Sequence, residues 1–132
     1  MTAVVVGYVP KPEGAAALDR AIREAIALGD RLVVVSSVRA DETQSELREL
    51  AERDLVAATA RLTEGGVDFE IRRQSDDEYG AAEELAAIAE EVSAELLVIG
   101  VRRRSPTGKL ILGTQAQRIL LEAPCPVLVV KD

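Results

Sequence analysis

The chain has 132 residues, which suits one compact domain over residues 1–132 and suffices to bury a core without disulfide or metal staples. A net charge of −7 argues against general affinity for nucleic acid or an anionic membrane. With no histidine and one cysteine, Cys125, the chain cannot form an intramolecular disulfide, a zinc cluster or a histidine-based catalytic triad.

The N-terminus shows no targeting signal. MTAVVVGYV has no basic region ahead of its apolar run, and that run is too short for a signal peptide. No segment approaches the length that crosses a membrane. We therefore expect a cytoplasmic protein whose partners are neither membranes nor nucleic acids.

The first part of the chain alternates β-branched runs with an amphipathic stretch. Ala3–Val9 (AVVVGYV) is a continuous apolar run, as expected of a strand buried on both faces, and the prolines and glycine of VPKPEG interrupt it. Ala15–Leu28 has apolar residues at helical spacing and ends at Gly29. Arg31–Val38 (RLVVVSSV) predicts a second buried strand.

The same alternation continues through the middle of the chain. A second helix follows a capping box at Thr43–Glu46 and ends at Gly65–Gly66. Val67–Arg73 (VDFEIRR) alternates apolar and polar residues, which predicts a strand at a sheet edge with one face in water. Ala81–Val92 predicts a third helix, and Leu96–Gly100 predicts a fourth, buried strand.

The last elements complete a regular βαβαβαβαβ order. Gly113–Leu121 predicts a short fourth helix and Val127–Lys131 (VLVVK) a fifth strand. This order predicts an α/β fold with an open, mainly parallel sheet and helices on both faces. Such sheets bind ligands beyond the carboxyl ends of the strands, where the strand order reverses. The pattern leaves two orders open: a flavodoxin-like order reverses between strands one and three, whereas 3-2-1-4-5 reverses between strands one and four and brings Val9 beside Gly100.

The segment Gly100–Thr114 (GVRRRSPTGKLILGT) carries the residues best suited to phosphate. Its glycine and lysine spacing does not match a P-loop, and the exit of the first strand lacks a dinucleotide fingerprint. Gly113 and Thr114 immediately precede a predicted helix, whose free N–H groups and dipole favour an anion. The alternative is that Thr114 simply caps that helix.

The basic side chains of the same segment also suit a phosphate. Arg102, Arg103 and Arg104 could clamp phosphate oxygens, and Lys109 could reach a phosphate. The alternative is a solvated loop that offsets the acidic helices.

The chain resembles the universal stress protein family over nearly all of its length. The resemblance rests on VVVGY at the start, LLVIG ahead of the loop and GKLILGTQAQRILLEAPCPVLVV at the end. It implies a Rossmann-like, adenine nucleotide alpha hydrolase-like fold with the order 3-2-1-4-5. In that family the last strand pairs with its copy in a second subunit, so the resemblance implies a homodimer through Val127, Leu128, Val129 and Val130.

The nucleotide motif of the family is only partly present. Gly100 matches the first glycine of G-x-x-G, nine residues, G-[S/T], and Gly113 and Thr114 match the final pair. Arg103 stands at the second glycine. Val9 stands where ATP-binding members carry an aspartate.

The resemblance implies a binding and signalling module of the stress response, with no catalytic residue and no metal ligand among its side chains. The expected cofactor is ATP or another adenine nucleotide, with Mg²⁺ if ATP is bound. The residues expected at the phosphates are Gly100, Arg102, Arg103, Gly108, Lys109, Gly113 and Thr114. Those expected at the base and ribose are Tyr8, Val9, Pro10, Val38 and Ile99. The alternative, favoured by Val9 and Arg103, is a member that does not bind ATP and acts as a homodimeric protein-interaction module.

Overall fold

The computed structural model describes residues 2–9, 11–36, 45–73, 80–102 and 112–132, with the backbone alone for 45–52 and 54. Strands and helices alternate along the chain, as the sequence predicts. The elements are β1 (Ala3–Tyr8), α1 (Pro12–Leu28), β2 (Arg31–Ser36), α2 (Ser45–Gly65), β3 (Phe69–Arg73), α3 (Ala81–Glu91), β4 (Ala94–Val101), α4 (Thr114–Glu122) and β5 (Val127–Lys131).

The five strands form one parallel sheet in the order β3-β2-β1-β4-β5. This order confirms the α/β prediction and resolves the choice that the residue pattern left open. The chain runs from β1 outward to β2 and β3, then crosses to the other side of β1 for β4 and β5. The strand order therefore reverses between β1 and β4.

The core lies on both faces of the sheet, which explains why the central strands are apolar without interruption. Val4 and Val6 of β1 pack with α1 and α2 on one face, while Val5 packs with α3 on the other. All three are fully buried. Because neighbouring side chains of a strand point to opposite faces, a strand covered on both sides carries no polar alternation.

The edge position predicted for β3 is confirmed, but several predicted element boundaries are wrong by one to three residues. α1 begins at Pro12, three residues before the predicted start, because proline is well suited to the first turn of a helix, where its missing N–H costs nothing. The N-cap of α4 is Gly113, so Thr114 is the first helical residue and not the cap. The proposed capping box at Thr43–Glu46 begins outside the described residues.

In the described part of the chain, no helix is long and apolar enough to cross a membrane. Nor do the cysteine and the acidic side chains of the described residues form a group of three that could hold a metal ion.

Candidate functional site

The carboxyl ends of β1 and β4 lie side by side at the point where the strand order reverses. Gly7 pairs with Ile99 in the parallel ladder, and the chain leaves the sheet at Val9 and Arg102. Two adjoining cavities open above this point and share Val9, Gly100, Gln115 and Ala116 among their walls. This is where an open parallel sheet places its ligand.

The first cavity, which we call the apolar cavity, has a volume of about 210 Å³ and lies between the sheet, α3 and α4. An ion pair of 3.2 Å between Glu83 and Arg118 joins these two helices. The side chains of the walls are mainly aliphatic: Val9, Val35, Leu85, Ile99, Ala116 and Ile119. Such a slot suits a flat, weakly polar ring rather than a charged group.

The second cavity, which we call the polar cavity, has a volume of about 370 Å³ and lies between the first turns of α1 and α4. The polar side chains of its walls are those of Lys11, Glu13, Arg102, Thr114 and Gln115, and Gly113 borders it with its backbone. It therefore brings two cations, one carboxylate and the start of a helix to one edge of the apolar cavity. A ligand that filled both cavities would have an apolar end and a charged, hydrogen-bonding end.

The start of α4 is open to an anion. Gly113 has extended backbone angles and no side chain, so no side-chain cap accepts a hydrogen bond from the first N–H groups. No acidic residue lies in the first turn. The carbonyl of Gly113 accepts from the N–H of Gln117 at 3.1 Å, which fixes the helix start. Unsatisfied N–H groups and the helix dipole together attract a phosphate-like anion.

Two glycines hold the first turn of α1 against the ends of β1 and β4. A methyl group on Gly14 would lie 2.8 Å from the carbonyl carbon of Val9, and one on Gly100 would lie 2.7 Å from the carbonyl carbon of Glu13. Both contacts are with backbone, which cannot rotate away. These close approaches, which only glycine permits, fix the backbone of Glu13 between the two strand ends.

The structure brings together six of the residues that the sequence singled out. Val9 and Gly100 border both cavities, and Ile99 borders the apolar cavity. Arg102, Gly113 and Thr114 border the polar cavity.

The remaining predicted residues lie elsewhere or outside the description. Tyr8 is buried on the opposite face of the sheet, beside a separate cavity of about 250 Å³ between α1 and α2. Its side chain therefore does not join Val9 and Ile99 at the candidate site. Pro10, Val38, Arg103, Gly108 and Lys109 lie outside the described residues.

Sequence reasoning missed several residues of the walls. Lys11 and Glu13 lie in VPKPEG, which the sequence predicts as an interruption before a helix that begins at Ala15. The signal that would have found them is Pro12 followed by an acidic residue, which is typical of a first helical turn. Val35 and Leu85 could not be distinguished from other core residues, because a cavity wall has the same apolar pattern as a packed interior.

Comparisons with known proteins agree on one family. The model of the universal stress protein family matches residues 1–131. A universal stress protein from Mycolicibacterium smegmatis is 42% identical over 128 residues, which cover 97% of this chain and 96% of the relative.

Solved structures show the same architecture. A universal stress protein from Archaeoglobus fulgidus superposes with a TM-score of 0.80 at 31% identity, covering 99% of this chain and 98% of that one. Another structure from the same organism, a universal stress protein in complex with dAMP, has a TM-score of 0.74 at 24% identity, with the same coverage of 99% and 98%. At that identity the second likeness concerns the fold alone.

Proposed function

The chain belongs to the universal stress protein family, and we propose that it binds an adenine nucleotide across the apolar and polar cavities. The proposed role is that of a non-catalytic binding module of the stress response in the cytoplasm. A protein of the same fold binds dAMP, which supports a nucleotide as the ligand.

One observation carries the proposal: an aliphatic slot adjoins an uncapped helix start at the point where the strand order reverses. The slot suits the adenine ring, and the N–H groups at the start of α4 suit the phosphate. Lys11 and Arg102 border the polar cavity and add positive charge. With ATP as ligand, we expect Mg²⁺ to accompany the phosphates, since that ion prefers phosphate oxygens and water.

The test uses Ala116, which borders both cavities in the first turn of α4. Ala116→Asp and Ala116→Asn add nearly the same bulk, but only aspartate adds a negative charge beside the phosphate position. An acid in the first turn of a helix is favourable for the helix itself, so the aspartate variant should fold. Calorimetric titration of each variant with AMP, ADP and ATP, with and without Mg²⁺, measures the effect.

We expect saturable binding by the unmodified protein and affinity at least about tenfold weaker in the aspartate variant than in the asparagine variant. The difference between the variants should shrink at high salt, because added ions screen the repulsion. Absence of binding by the unmodified protein, or equal affinities of the two variants, would contradict the proposal.

The alternative is a homodimeric interaction module that binds no nucleotide. Two exposed leucines on α4, Leu120 and Leu121, favour it, because exposed apolar side chains beside an open sheet edge are typical of protein interfaces. Leu121 is 85% exposed. Dimerisation through β5 is compatible with both functions, so only the nucleotide titration separates them.

A further inference from the structure

We propose that Glu13 accepts a hydrogen bond from a ribose hydroxyl of the bound nucleotide, so that the protein binds AMP more tightly than an analogue that lacks this hydroxyl. This inference rests on the proposed nucleotide site and names the part of the ligand that the site reads. The family motif does not include this residue; its position in the polar cavity is the reason to consider it.

The first step is that the backbone of Glu13 is fixed. Gly14 packs against the carbonyl of Val9, which follows β1. Gly100, near the end of β4, packs against the carbonyl of Glu13. The amide of Gly14 also donates to the carbonyl of Lys11 at 2.9 Å. Because the turn is held from both sides, the side chain of Glu13 leaves the backbone at a defined point beside the polar cavity.

The second step is that one carboxylate oxygen of Glu13 has no partner. Oε1 is shielded from solvent and makes no hydrogen bond. Among the described residues, no cation pairs with Glu13, although Lys11 and Arg102 border the same cavity. A shielded acceptor without a donor is unfavourable, and in native proteins most such groups have a partner. We infer that a donor on the ligand supplies the missing partner once the carboxylate turns into the polar cavity, which Glu13 borders.

The third step identifies the donor. An ionised carboxylate only accepts hydrogen bonds, so Glu13 cannot contact phosphate oxygens directly. The amino group of adenine would lie with the ring in the apolar cavity, which Glu13 does not border. Ribose lies between base and phosphate, and its hydroxyls are donors. In dinucleotide-binding parallel sheets a carboxylate likewise accepts a hydrogen bond from a ribose hydroxyl.

The experiment measures discrimination between sugars. AMP, 2′-deoxy-AMP and 3′-deoxy-AMP are titrated calorimetrically into the unmodified protein, Glu13→Ala and Glu64→Ala. Glu64 is an exposed acidic residue near the end of α2 that borders neither cavity, so it controls for loss of one helical carboxylate. Ligand-induced shifts of the melting temperature provide a second readout that also verifies folding.

We expect the unmodified protein and Glu64→Ala to bind AMP about tenfold or more tightly than at least one deoxy analogue. In Glu13→Ala, the AMP affinity should fall by a similar factor and the ratio between sugars should approach one. Equal affinities for all three ligands in the unmodified protein, or an unchanged ratio in Glu13→Ala, would overturn the role of Glu13 and leave the nucleotide site standing. No binding of AMP by the unmodified protein would overturn both proposals.

Discussion

At the scale of single residues, Cys125 is the most distinctive reactive group, because it is the only thiol of the chain. It lies between Pro124 and Pro126 just before β5, and its side chain packs partly against the core on the α3 and α4 face. Burial raises the pKa of this thiol above its ordinary value. The environment therefore favours an unreactive thiol rather than a redox centre.

Alkylation by iodoacetamide tests this directly. In the folded protein the pH midpoint of the reaction rate should lie above the midpoint measured in urea, because only the thiolate reacts. The folded state holds this proton more tightly than the unfolded chain does, so the protonated thiol contributes to the free energy of unfolding. This contribution is complete below the pKa of the unfolded chain and is lost as the pH rises through the pKa of the folded state. A native midpoint equal to that of the unfolded chain would contradict the assignment. With one cysteine, the labelling needs no control variant.

At the scale of elements, the close packing of α1 on β1 and β4 builds the site. Three elements meet where Gly14 and Gly100 let backbone contact backbone. The C-cap of α1 is Gly29, which has a left-handed φ of 69° and whose N–H donates to the carbonyls of Ala25 and Ile26. Since the N-terminal turn is fixed by its contacts and the C-terminal turn by this cap, the helix has little freedom to shift along the sheet.

Gly14→Ala should therefore destabilise the protein, although alanine is the better helix former. The added methyl group meets the backbone of Val9, and separating α1 from β1 costs about 3 kcal/mol of unfolding free energy. Gly113→Ala is the matched control: φ there is −67°, and among the described residues beyond its chain neighbours no atom lies within 4 Å of the added methyl group. Replacing glycine by alanine at this N-cap should cost no more than about 1 kcal/mol. Urea unfolding measures both. Equal stability of the two variants would show that the contact at Gly14 does not constrain the helix.

The sequence alone predicts some features of these elements and not others. The type and order of every strand and helix could be predicted, because apolar runs and helical spacing are local signals. The residue pattern leaves the sheet order open, and it predicts the start of α1 three residues too late, because Pro12 also fits an interruption of the chain. Gly113 and Thr114 stood out as a local turn before a helix. The position of Glu13 beside the polar cavity depends on Gly100, which is distant in sequence, so no local pattern could predict it.

At the scale of the whole molecule, the two edges of the sheet differ. β3 carries a charged edge: Arg72 pairs with Glu70 at 3.0 Å and with Glu91 on α3, and its pKa is raised by these hydrogen bonds. Charges along an edge strand discourage pairing with another chain. β5 instead presents the run VLVV, whose four side chains are only partly buried. The open edge of β5 is therefore the side at which we expect a second copy to pair.

Backbone geometry identifies the residue that tests this expectation. The carbonyl of Pro126 accepts from the N–H of Leu97 at 3.0 Å, and the N–H of Asp132 donates to the carbonyl of Val101 at 3.1 Å. Because hydrogen bonding alternates along a strand, the even-numbered residues of β5 bond to β4, and the N–H of Val129 points to the open edge. Val129→Pro removes a donor that only a partner strand would use, whereas Val129→Ala keeps it.

We expect light scattering after size exclusion to give a dimer for the unmodified protein and for Val129→Ala, and a monomer for Val129→Pro at the same micromolar concentration. Far-ultraviolet circular dichroism of the proline variant should retain its helical signal, since the bonds between β4 and β5 do not involve that N–H. A proline variant that stays dimeric would place the subunit contact away from the edge of β5. An unmodified protein that is monomeric throughout the micromolar range would contradict the expected pairing at the edge of β5.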